Sequence, residues 1–574
     1  MLQLKVLIVP SVEKGQGGGH LARSIRLSQE LRSLGQESWV YLEDKDLGIE
    51  GEFIVTDERD GAWDVVILDQ FRTPNAEFTR WRKIAPIIGL DEGGKRRKNF
   101  DFLIDILPNL EKHKPNIANL SFLFSNTHDS LAVSEERSVA VAFGAEDAAG
   151  LTTPVSIALL QAGFVVTAVF GALNQTSTAE REKLRKIGAE IWENVENLGE
   201  RLGKFSLIIT HYGLTAFESL RTRTSVILVS PTRYHERLAR KAGFLTIRKV
   251  GELRSIPIHK IIDNNRTLAE RYRIDETESL GVFLAHIEIH SADCPLCGPN
   301  PQIVPHTLVR FSDSTYRKCP VCRTVFMSRL IAPPIEYNRG YFFDSYKKQY
   351  GKTYLEDFPN LVEIGRKRLV HIKNILRSRG GEAPRLLDVG CAYGPFLVAA
   401  AEAGFAPAGL EAAEDAADYV ENILQIPCYN AAFPTPLTER FDIISLWFVI
   451  EHFEKTGEVF AEINRLLKPN GILAFSTPSF AGISARKSQK EFLKNSPADH
   501  YLVLDPRNIR VILKRFGFSV RKIVITGIHP ERFPFFGQFA HKNPLLNTLL
   551  SLSSRLFRLG DTFEVYAVKK GGNR

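Results

Sequence analysis

Short apolar runs alternate with segments of helical period along most of this chain. From Lys5 to about Val282 the apolar runs are KVLIVP, SWVYL, WDVVILDQ, PIIGLDE, SVAVAFG, FVVTAVFGAL, FSLIIT and SVILVS. After Arg385 they are RLLDVG, APAGLEA, FDIISLWFV, GILAFSTP, FSVRKIVI and FEVYAVKK. Strands that alternate with helices build parallel sheets with helices on both faces. The pattern therefore predicts an α/β protein with doubly wound, Rossmann-like sheets.

Two interruptions divide this alternation. Residues 113–137 are irregular, and residues 290–330 are rich in cysteine, proline and turn residues. At 574 residues the chain is too long for one hydrophobic core. We therefore predict two N-terminal lobes, a small cysteine-containing module, a helical linker and a second α/β domain, with the boundaries 1–135, 136–288, 289–330, 331–380 and 381–574.

The net charge of the chain and the lengths of its apolar runs limit the functional classes to which the protein can belong. The net charge of +8 is spread over 74 basic and 66 acidic residues, which disfavours nucleic acid as a partner. The longest apolar runs reach about half of the ~20 residues that cross a bilayer, so no transmembrane helix is predicted. The N-terminus reads as a buried strand and not as a secretion signal, and the few cysteines suit a reducing compartment. These features predict a cytoplasmic protein and leave its oligomeric state open.

A glycine-rich turn follows the first strand of the C-terminal domain. In LLDVGCAYGPFL the strand ends at Asp388, and Gly390 and Gly394 allow the backbone to approach a ligand before a helix begins. The spacing G-x-x-x-G favours a cofactor without a diphosphate. The next strand ends at Glu411, where a carboxylate can accept both hydroxyls of a ribose.

These residues resemble the class I methyltransferase family, and the resemblance continues through FDIISLWFVIEHF and INRLLKPNGILAFSTPS to cover about residues 340–574. It implies S-adenosylmethionine as cofactor. It also implies that Asp388, Gly390 and Gly394 lie at the methionyl end and that Glu411 holds the ribose. The end of the fourth strand, from Trp447 to His452, would face the methyl group.

Methyl transfer from a sulfonium needs mainly alignment of the reacting atoms, but a hydroxyl acceptor also benefits from a base. His452, at the end of the fourth strand, and His500, in a polar loop after the fifth, are the candidate bases. The alternative for His452 is a histidine at a helix start that is satisfied by the backbone. The acceptor atom stays open between oxygen, nitrogen and carbon.

Four cysteines form two C-x2-C turns, separated by 21 residues. Such turns present paired thiolates, and Cys294, Cys297, Cys319 and Cys322 are predicted to bind a structural Zn²⁺. A zinc ribbon before a methyltransferase resembles sugar C-methyltransferases of deoxysugar pathways, polysaccharide-modifying methyltransferases and some ribosomal RNA methyltransferases. The ribbon therefore leaves both a sugar and an RNA base open as acceptors.

Each N-terminal lobe contains a glycine-bearing turn before a helix. The first, KGQGGGHLARSIRL, also carries His20, and the second is ITHYGLTAFESL. Helix N-termini of this kind bind phosphate, and a nearby carboxylate can take ribose hydroxyls. The residues predicted to bind a nucleotide sugar are Gly17, Gly19, Arg23, Gly213, Thr215 and Glu218. The alternatives are that His20 caps its helix and that Glu218 is an ordinary first-turn carboxylate.

Residues 1–285 resemble the two-lobed GT-B superfamily. The likeness is greatest to the UDP-sugar hydrolase of pseudaminic acid synthesis and its relatives in spore-coat polysaccharide synthesis. It rests on GGGHLARSIRLSQEL, DEGGKRRKNFDFLIDILPN, VAFGAEDAAGLT, ITHYGLTAFESL and VSPTRYHERLARKAGF. The resemblance implies that His20 acts on the water that releases the nucleotide. Two departures are a third glycine before His20 and the pair His211-Tyr212, where small hydroxyl residues are commoner.

Together these features predict a sugar or glycan methyltransferase fused to a nucleotide-sugar-processing domain in surface polysaccharide synthesis. One alternative is an RNA methyltransferase, which the ribbon and the isoelectric point of about 9.0 favour. The other makes the N-terminal half a non-catalytic nucleotide-sugar binding module. The segment NPLLNTLLSLSSRLFRLGD is amphipathic, and we expect a helix that faces the core, with contact to a membrane or a partner as the alternative.

Overall fold

A computed structural model describes most of the chain. The described residues are 3–12, 19–43, 54–55, 62–123, 137–195, 198–272, 278–290, 293–300, 302–331, 343–344, 346–376, 382–540 and 542–571. The chain divides into two compact units, Met1–Ile289 with Arg310–Asp313 and His290–Val309 with Ser314–Arg574. No helix within the described ranges has the length and apolar character needed to cross a bilayer.

The first unit contains two parallel sheets. The first sheet has the strand order β3-β2-β1-β4-β5-β6-β7 and the second has the order β10-β9-β8-β11-β12-β13. The strands are β1 Lys5–Pro10, β2 Glu37–Tyr41, β3 Ile54–Val55, β4 Val65–Asp69, β5 Ile87–Leu90, β6 Phe102–Asp105, β7 Ile117–Ala118, β8 Ser138–Ala142, β9 Val165–Phe170, β10 Glu190–Glu193, β11 Leu207–Thr210, β12 Ser225–Val229 and β13 Thr246–Ile247.

Helices cover these sheets. They are α1 Gly19–Ser33, α2 Asn75–Arg82, α3 Thr152–Gln161, α4 Thr178–Lys186, α5 Leu198–Arg201, α6 Leu214–Arg221, α7 Arg233–Ala242, α8 Ile258–Arg271 and α9 Leu280–Leu284. The central strands β4 and β8 are buried along their whole length, as strands enclosed on both faces must be. The prediction of an α/β fold with parallel sheets is confirmed for this unit.

The second unit contains a small antiparallel sheet and a large mixed one. The orders are β14-β15-β16-β22 and β19-β18-β17-β20-β21-β24-β23. The strands are β14 His306–Arg310, β15 Ser314–Lys318, β16 Val325–Arg329, β17 Arg385–Val389, β18 Ala406–Glu411, β19 Cys428–Asn430, β20 Phe441–Trp447, β21 Leu467–Pro478, β22 Leu502–Val503, β23 Phe518–Thr526 and β24 Thr562–Lys569. Their helices are α10 Tyr346–Tyr350, α11 Tyr354–Ile375, α12 Pro395–Glu402, α13 Glu414–Asp418, α14 Thr456–Leu466, α15 Ile483–Lys487, α16 Gln489–Lys494, α17 Ile509–Arg515, α18 Gly537–Ala540 and α19 Pro544–Leu556.

The large sheet is parallel from β19 to β21, and β24 then runs antiparallel between β21 and β23. The order of the strands reverses at β17, because β18 and β20 lie on its two sides. The carboxyl ends of β17, β18 and β20 therefore meet at one edge of the sheet. Ligands of open α/β sheets bind in the crevice at such a reversal.

Helix α11, which falls within the predicted linker 331–380, packs directly on α12. A capping box at Thr353 and Glu356 starts it. Gly365 allows the close approach, since a Cβ there would lie 3.0 Å from the Cβ of Ala399. The helix is thus part of the layer that covers the large sheet.

The last helix does not face the core. Leu545, Leu549, Leu552 and Leu556 of α19 are all exposed, by between 56% and 78%. The prediction of a core-facing helix is therefore wrong for α19. A sequence pattern shows that a helix has an apolar face, but the direction of that face depends on tertiary packing.

Candidate functional site

A tight turn connects β17 to α12. Gly390 and Gly394 both adopt left-handed backbone angles, with φ of 67° and 79°. A Cβ at Gly390 would lie 2.6 Å from Cγ2 of Val449, so a larger residue would displace the loop. Ala392, between them, also has a positive φ of 47°. The turn lies at the reversal point of the sheet, where both glycines were predicted to lie.

Glu411 lies at the carboxyl end of β18 and joins two loops. One carboxylate oxygen accepts a hydrogen bond from the backbone N–H of Ala392 at 2.8 Å, and the other accepts from Ala413 at 3.0 Å. Burial raises the pKa of Glu411, and the backbone N–H groups oppose this shift. The carboxylate therefore stands beside the glycine turn, and its binding of a ribose stays a prediction.

Asp388 is buried below the same turn. Ser445, on the neighbouring strand β20, donates a hydrogen bond to it at 2.6 Å. Burial raises the pKa of Asp388 to about 7, against the lowering effects of Ser445 and Arg368. A carboxyl group with this pKa can be held neutral or ionised by a small change around it, including a positively charged ligand.

An aromatic cluster that sequence reasoning missed lines the turn. Tyr393 contacts Phe343, Tyr354 and Tyr419, with ring centroids 5.2–6.1 Å apart. Its hydroxyl donates to Asp415 at 2.6 Å. Flat apolar rings offer a surface for a planar heterocycle. The only sequence signal was the tyrosine inside the glycine turn.

Trp447 ends β20 and packs toward the helical layer. Its ring contacts Phe396 at 5.0 Å, and the guanidinium of Arg368 lies 4.0 Å from its centroid. Arg368 also donates to Glu564 at 2.8 Å. These contacts fix the ring firmly, and its predicted role in cofactor binding stays a prediction.

The two candidate bases lie together just beyond β20. The rings of His452 and His500 are perpendicular, with centroids 4.6 Å apart. Nδ1 of His452 is hydrogen-bonded to Asp499 at 2.7 Å, and Glu451 is fully buried next to them. The backbone brings the segments together, because the N–H of Tyr501 donates to the carbonyl of Glu451 at 2.8 Å. His452 is therefore not a histidine that bonds only to the backbone, because its side chain is hydrogen-bonded to Asp499.

The electrostatics distinguish the two histidines. Burial alone would lower the pKa of His452, but Asp499 and Glu451 raise it above its ordinary value. Burial and the neighbouring His452 lower the pKa of His500 to about 3. His452 therefore holds a proton far better than His500. Burial also raises the pKa of Glu451 to about 7, so this carboxyl group can share that proton.

One donor atom each from Glu451, His452 and His500 lies within 4.8 Å of the others. A carboxylate and two imidazoles could hold a divalent metal. They could equally take a proton from an acceptor, because His452 is oriented by Asp499 as a general base requires.

The sequence of this region matches a family of known domains. Residues 361–523 match the family model described as a methyltransferase domain. The match begins inside α11 and includes the turn, Glu411 and the histidine cluster. The match supports an S-adenosylmethionine-dependent methyltransferase domain in this part of the chain.

Individual relatives and solved structures match a part of the chain. Ubiquinone biosynthesis O-methyltransferases of Coxiella burnetii strains are 29% identical over 117 residues, which is 19% of this chain and 49% of the relative. The chain thus spans about half the length of the curated relatives it matches. A magnesium protoporphyrin IX methyltransferase from Synechocystis with bound SAH is 16% identical, with a TM-score of 0.28, over 40% of this chain and 98% of that one. An Archaeoglobus fulgidus methyltransferase is 17% identical, with a TM-score of 0.28, over 39% and 98%.

The four predicted cysteine ligands lie together before the methyltransferase domain. Their sulfurs are within 4.8 Å of one another, with Cys294 to Cys322 at 3.5 Å and Cys297 to Cys319 at 3.8 Å. Zn–S bonds of about 2.3 Å in a tetrahedron give S–S edges of about 3.8 Å. Arg515 donates to the sulfur of Cys297 at 3.4 Å. The four residues fit a tetrahedral Zn²⁺ site with no position left for a substrate.

The cysteine module holds the segment that carries the histidine cluster. Its strand β16 pairs with β22, and the N–H of Met327 donates to the carbonyl of Tyr501 at 2.9 Å. Arg329 donates to the carbonyl of Ala498 at 3.0 Å. Asp499 and His500 thus lie between two residues fixed by the module, a connection that the sequence did not indicate.

In the first unit, His20 and Arg23 converge on one carboxylate. Asp69, at the end of β4, is hydrogen-bonded to Nδ1 of His20 at 2.6 Å and accepts from Nε of Arg23 at 2.9 Å. Arg23 also donates to Asp91 at 2.6 Å. Although burial opposes it, Arg23 and His20 hold the pKa of Asp69 well below its usual range. Neither Asp69 nor Asp91 was predicted from the sequence. The signal that could have found them is an acidic residue at or just after the end of a buried strand.

The second glycine turn of this unit lies close to the start of α1. A Cβ on Gly19 would be 3.3 Å from Leu214, the first residue of α6. Gly213 precedes α6 in an extended conformation, and Thr215 is half-buried. Glu218 follows the first turn of the helix, and burial raises its pKa although Arg26 opposes the shift. The prediction that Glu218 lies in the first turn of this helix is therefore wrong by one residue, because α6 begins at Leu214. Gly17 lies outside the described residues.

Proposed function

We propose that the C-terminal domain methylates a hydroxyl of a sugar or glycan, and that the N-terminal unit binds the nucleotide sugar to which this chemistry is linked. The observation that carries the first part is the oriented His452–Asp499 pair at the end of β20, next to the strand reversal with Glu411. A base is needed for an oxygen acceptor, and the name O-methyltransferase of the curated relatives supports oxygen. The sugar rests on the resemblance of the N-terminal unit and of the ribbon.

S-adenosylmethionine, when bound, supplies a methyl group on a positively charged sulfur, which leaves as a neutral thioether. The residues of the chain supply position and proton transfer. Glu411 would hold the ribose hydroxyls, and the Gly390–Gly394 turn would admit the cofactor closely. As the acceptor oxygen forms its bond to carbon and the carbon–sulfur bond breaks, Nε2 of His452 would take the hydroxyl proton. Asp499 would stabilise the imidazolium that forms.

In the N-terminal unit, the surroundings of His20 support a role in binding or processing a nucleotide sugar. A carboxylate at 2.6 Å orients this imidazole, and Arg23 lies one helical turn away on the same carboxylate. An imidazole that a carboxylate orients at the start of α1 suits activation of the water that would attack a diphosphate. The proposed activity is release of the nucleotide, with binding alone as the alternative. The cytoplasmic location stays a prediction.

The decisive experiment incubates the full chain with S-adenosylmethionine and UDP-, GDP-, CMP- and dTDP-sugars, and follows methyl mass gain and nucleotide release by mass spectrometry. We expect a methylated sugar in at least one reaction, and nucleotide release that His20→Ala abolishes while methylation continues. Release that persists in His20→Ala would contradict the role of His20. Methylation of RNA with every sugar inactive would overturn the proposed acceptor.

The four cysteines are proposed to hold a structural zinc ion. Cys319→Ser should remove one ligand and lower the free energy of unfolding of the second unit by about 3 kcal/mol, or roughly 6–12 °C in Tm. Zinc content measured by mass spectrometry should fall together with Tm in calorimetry. Cys428→Ser is the matched control, because Cys428 lies outside the cluster and should leave zinc content unchanged. A chain purified without zinc and indifferent to a chelator would refute the proposal.

A further inference from the structure

Helix α19 exposes a row of leucines, whereas a helix on a protein surface usually turns its apolar side toward the core. Its leucines at positions 545, 549, 552 and 556 are spaced by four, three and four residues, so they form one stripe along the helix. All four are exposed. The less exposed positions of the helix are Ser554, fully buried, and the half-buried Leu546, Asn547, Leu550 and Ser551. The apolar face thus points away from the unit that the helix packs on.

Three exposed phenylalanines lie in the loop and the short helix α18 that precede α19. Phe535 is 86% exposed, Phe536 61% and Phe539 53%, and Phe557 follows α19 at 62%. Gly537 anchors the loop against the 3₁₀ turn before it, since a Cβ there would lie 2.4 Å from the carbonyl oxygen of Glu531. Eight large apolar side chains are therefore exposed within one fixed segment, which we call the apolar ridge, residues 535–557. Exposed apolar surface of this extent marks an interaction site.

The charges within the apolar ridge and just after it are positive, whereas the exposed Glu531 before the ridge is paired with His529 and Arg532. Residues 533–560 include Lys542, Arg555 and Arg558 and contain no Asp or Glu. Lys542 and Arg555 are exposed, whereas Arg558 donates to the carbonyl of Pro506 at 3.1 Å. Apolar side chains flanked by cations complement a surface that is negatively charged outside and apolar beneath, as an anionic bilayer is.

We propose that the apolar ridge docks the second unit on the surface of a membrane that contains anionic lipids, with the phenylalanines and the leucine stripe entering the interface. A second copy of the chain is a poorer fit. Leucines spaced by three and four would suit a two-helix seam, but helix pairs of that kind use opposite charges beside the seam, and here both exposed flanking charges are positive. The proposal is independent of the acceptor and requires no spanning segment.

The test measures binding of the full chain to vesicles by flotation. We expect binding to vesicles of phosphatidylcholine mixed with phosphatidylglycerol, weaker binding to phosphatidylcholine alone, and a decrease with added salt. The double variant Leu549→Gln with Leu552→Gln should lose at least tenfold in vesicle partitioning, because the leucines supply the apolar contact. Lys542→Gln with Arg555→Gln should weaken binding only to the anionic vesicles.

Val511→Gln is the matched control, since Val511 is 69% exposed on α17, outside the apolar ridge, and should leave binding unchanged. Circular dichroism checks that each variant is folded, which exposed positions favour. Absence of vesicle binding by the unsubstituted chain, or equal binding by the leucine variant, would overturn the proposal. A concentration-dependent dimer that the leucine variant dissociates, without lipid binding, would identify the ridge as a contact between copies and equally overturn it.

Discussion

Glu411→Gln is expected to weaken binding of S-adenosylmethionine and of its demethylated product by roughly 30- to 100-fold. The carboxylate accepts from the backbone of both Ala392 and Ala413 and is proposed to accept the ribose hydroxyls as well. A glutamine has one oxygen, so its NH₂ group would face one of the backbone N–H groups. Hydrogen bonds to a charged acceptor contribute about 1.5–3 kcal/mol, and an unsatisfied buried donor costs a similar amount. Titration calorimetry with the demethylated product measures the change directly.

Glu414→Gln is the matched control for this experiment. Glu414 is exposed, three residues further along the chain at the start of α13, and the substitution removes the same charge. It should change affinity less than twofold, because a distant solvated charge is screened. Equal affinities for Glu411→Gln and the unsubstituted chain, with the fold preserved, would show that the carboxylate supports the loop and does not hold the cofactor.

The parts of this site that the sequence predicted are local in the chain. Gly390 and Gly394 lie in the turn after β17, and Glu411 ends the next strand, β18, so the rule for parallel sheets places them at one edge. The four cysteines come in two tight turns whose geometry depends only on neighbouring residues. Alternation of apolar runs likewise predicted the parallel sheets, because each run is a strand buried on both faces.

The parts that were missed depend on segments far apart in sequence. Asp69 is 49 residues from His20, and Asp499 is 47 residues from His452, so only the packed fold pairs them. The pairing of β16 with β22 also joins distant segments, and it connects the cysteine module to the segment that holds Asp499 and His500. A pattern of residue types does not encode which of many carboxylates a given imidazole will meet.

The sequence pattern also could not predict which way the apolar stripe of α19 faces. The spacing of Leu545, Leu549, Leu552 and Leu556 is the same whether the stripe faces a core or the surroundings. Buried Ser554 on the opposite face decides between the two, and its burial follows from how α19 packs against β23 and the neighbouring α18. An apolar stripe therefore predicts a contact, and only the fold shows with what.

His452→Ala is expected to reduce kcat for methyl transfer by about 10²- to 10⁴-fold, the usual contribution of a general base, with little change in affinity for the cofactor. His500→Gln should have a much smaller effect, because burial and His452 lower the pKa of His500 to about 3 and leave it a poor proton acceptor. Steady-state kinetics on the acceptor found in the sugar panel separates kcat from KM. A larger loss in His500→Gln than in His452→Ala would move the base to His500.

Asp499→Asn tests whether Asp499 positions His452, and its readout is the pH profile. The base must be neutral to act, so kcat/KM should rise with pH through the pKa of His452. Asp499 and Glu451 hold that pKa above its ordinary value. Removing the charge of Asp499 lowers it, and the rise should therefore move to lower pH while the plateau also falls, since an asparagine no longer stabilises the imidazolium. A profile that does not shift would leave Asp499 with a merely structural role. It would also remove the main physical reason for placing proton transfer at His452, because Glu451 alone would then have to sustain the raised pKa.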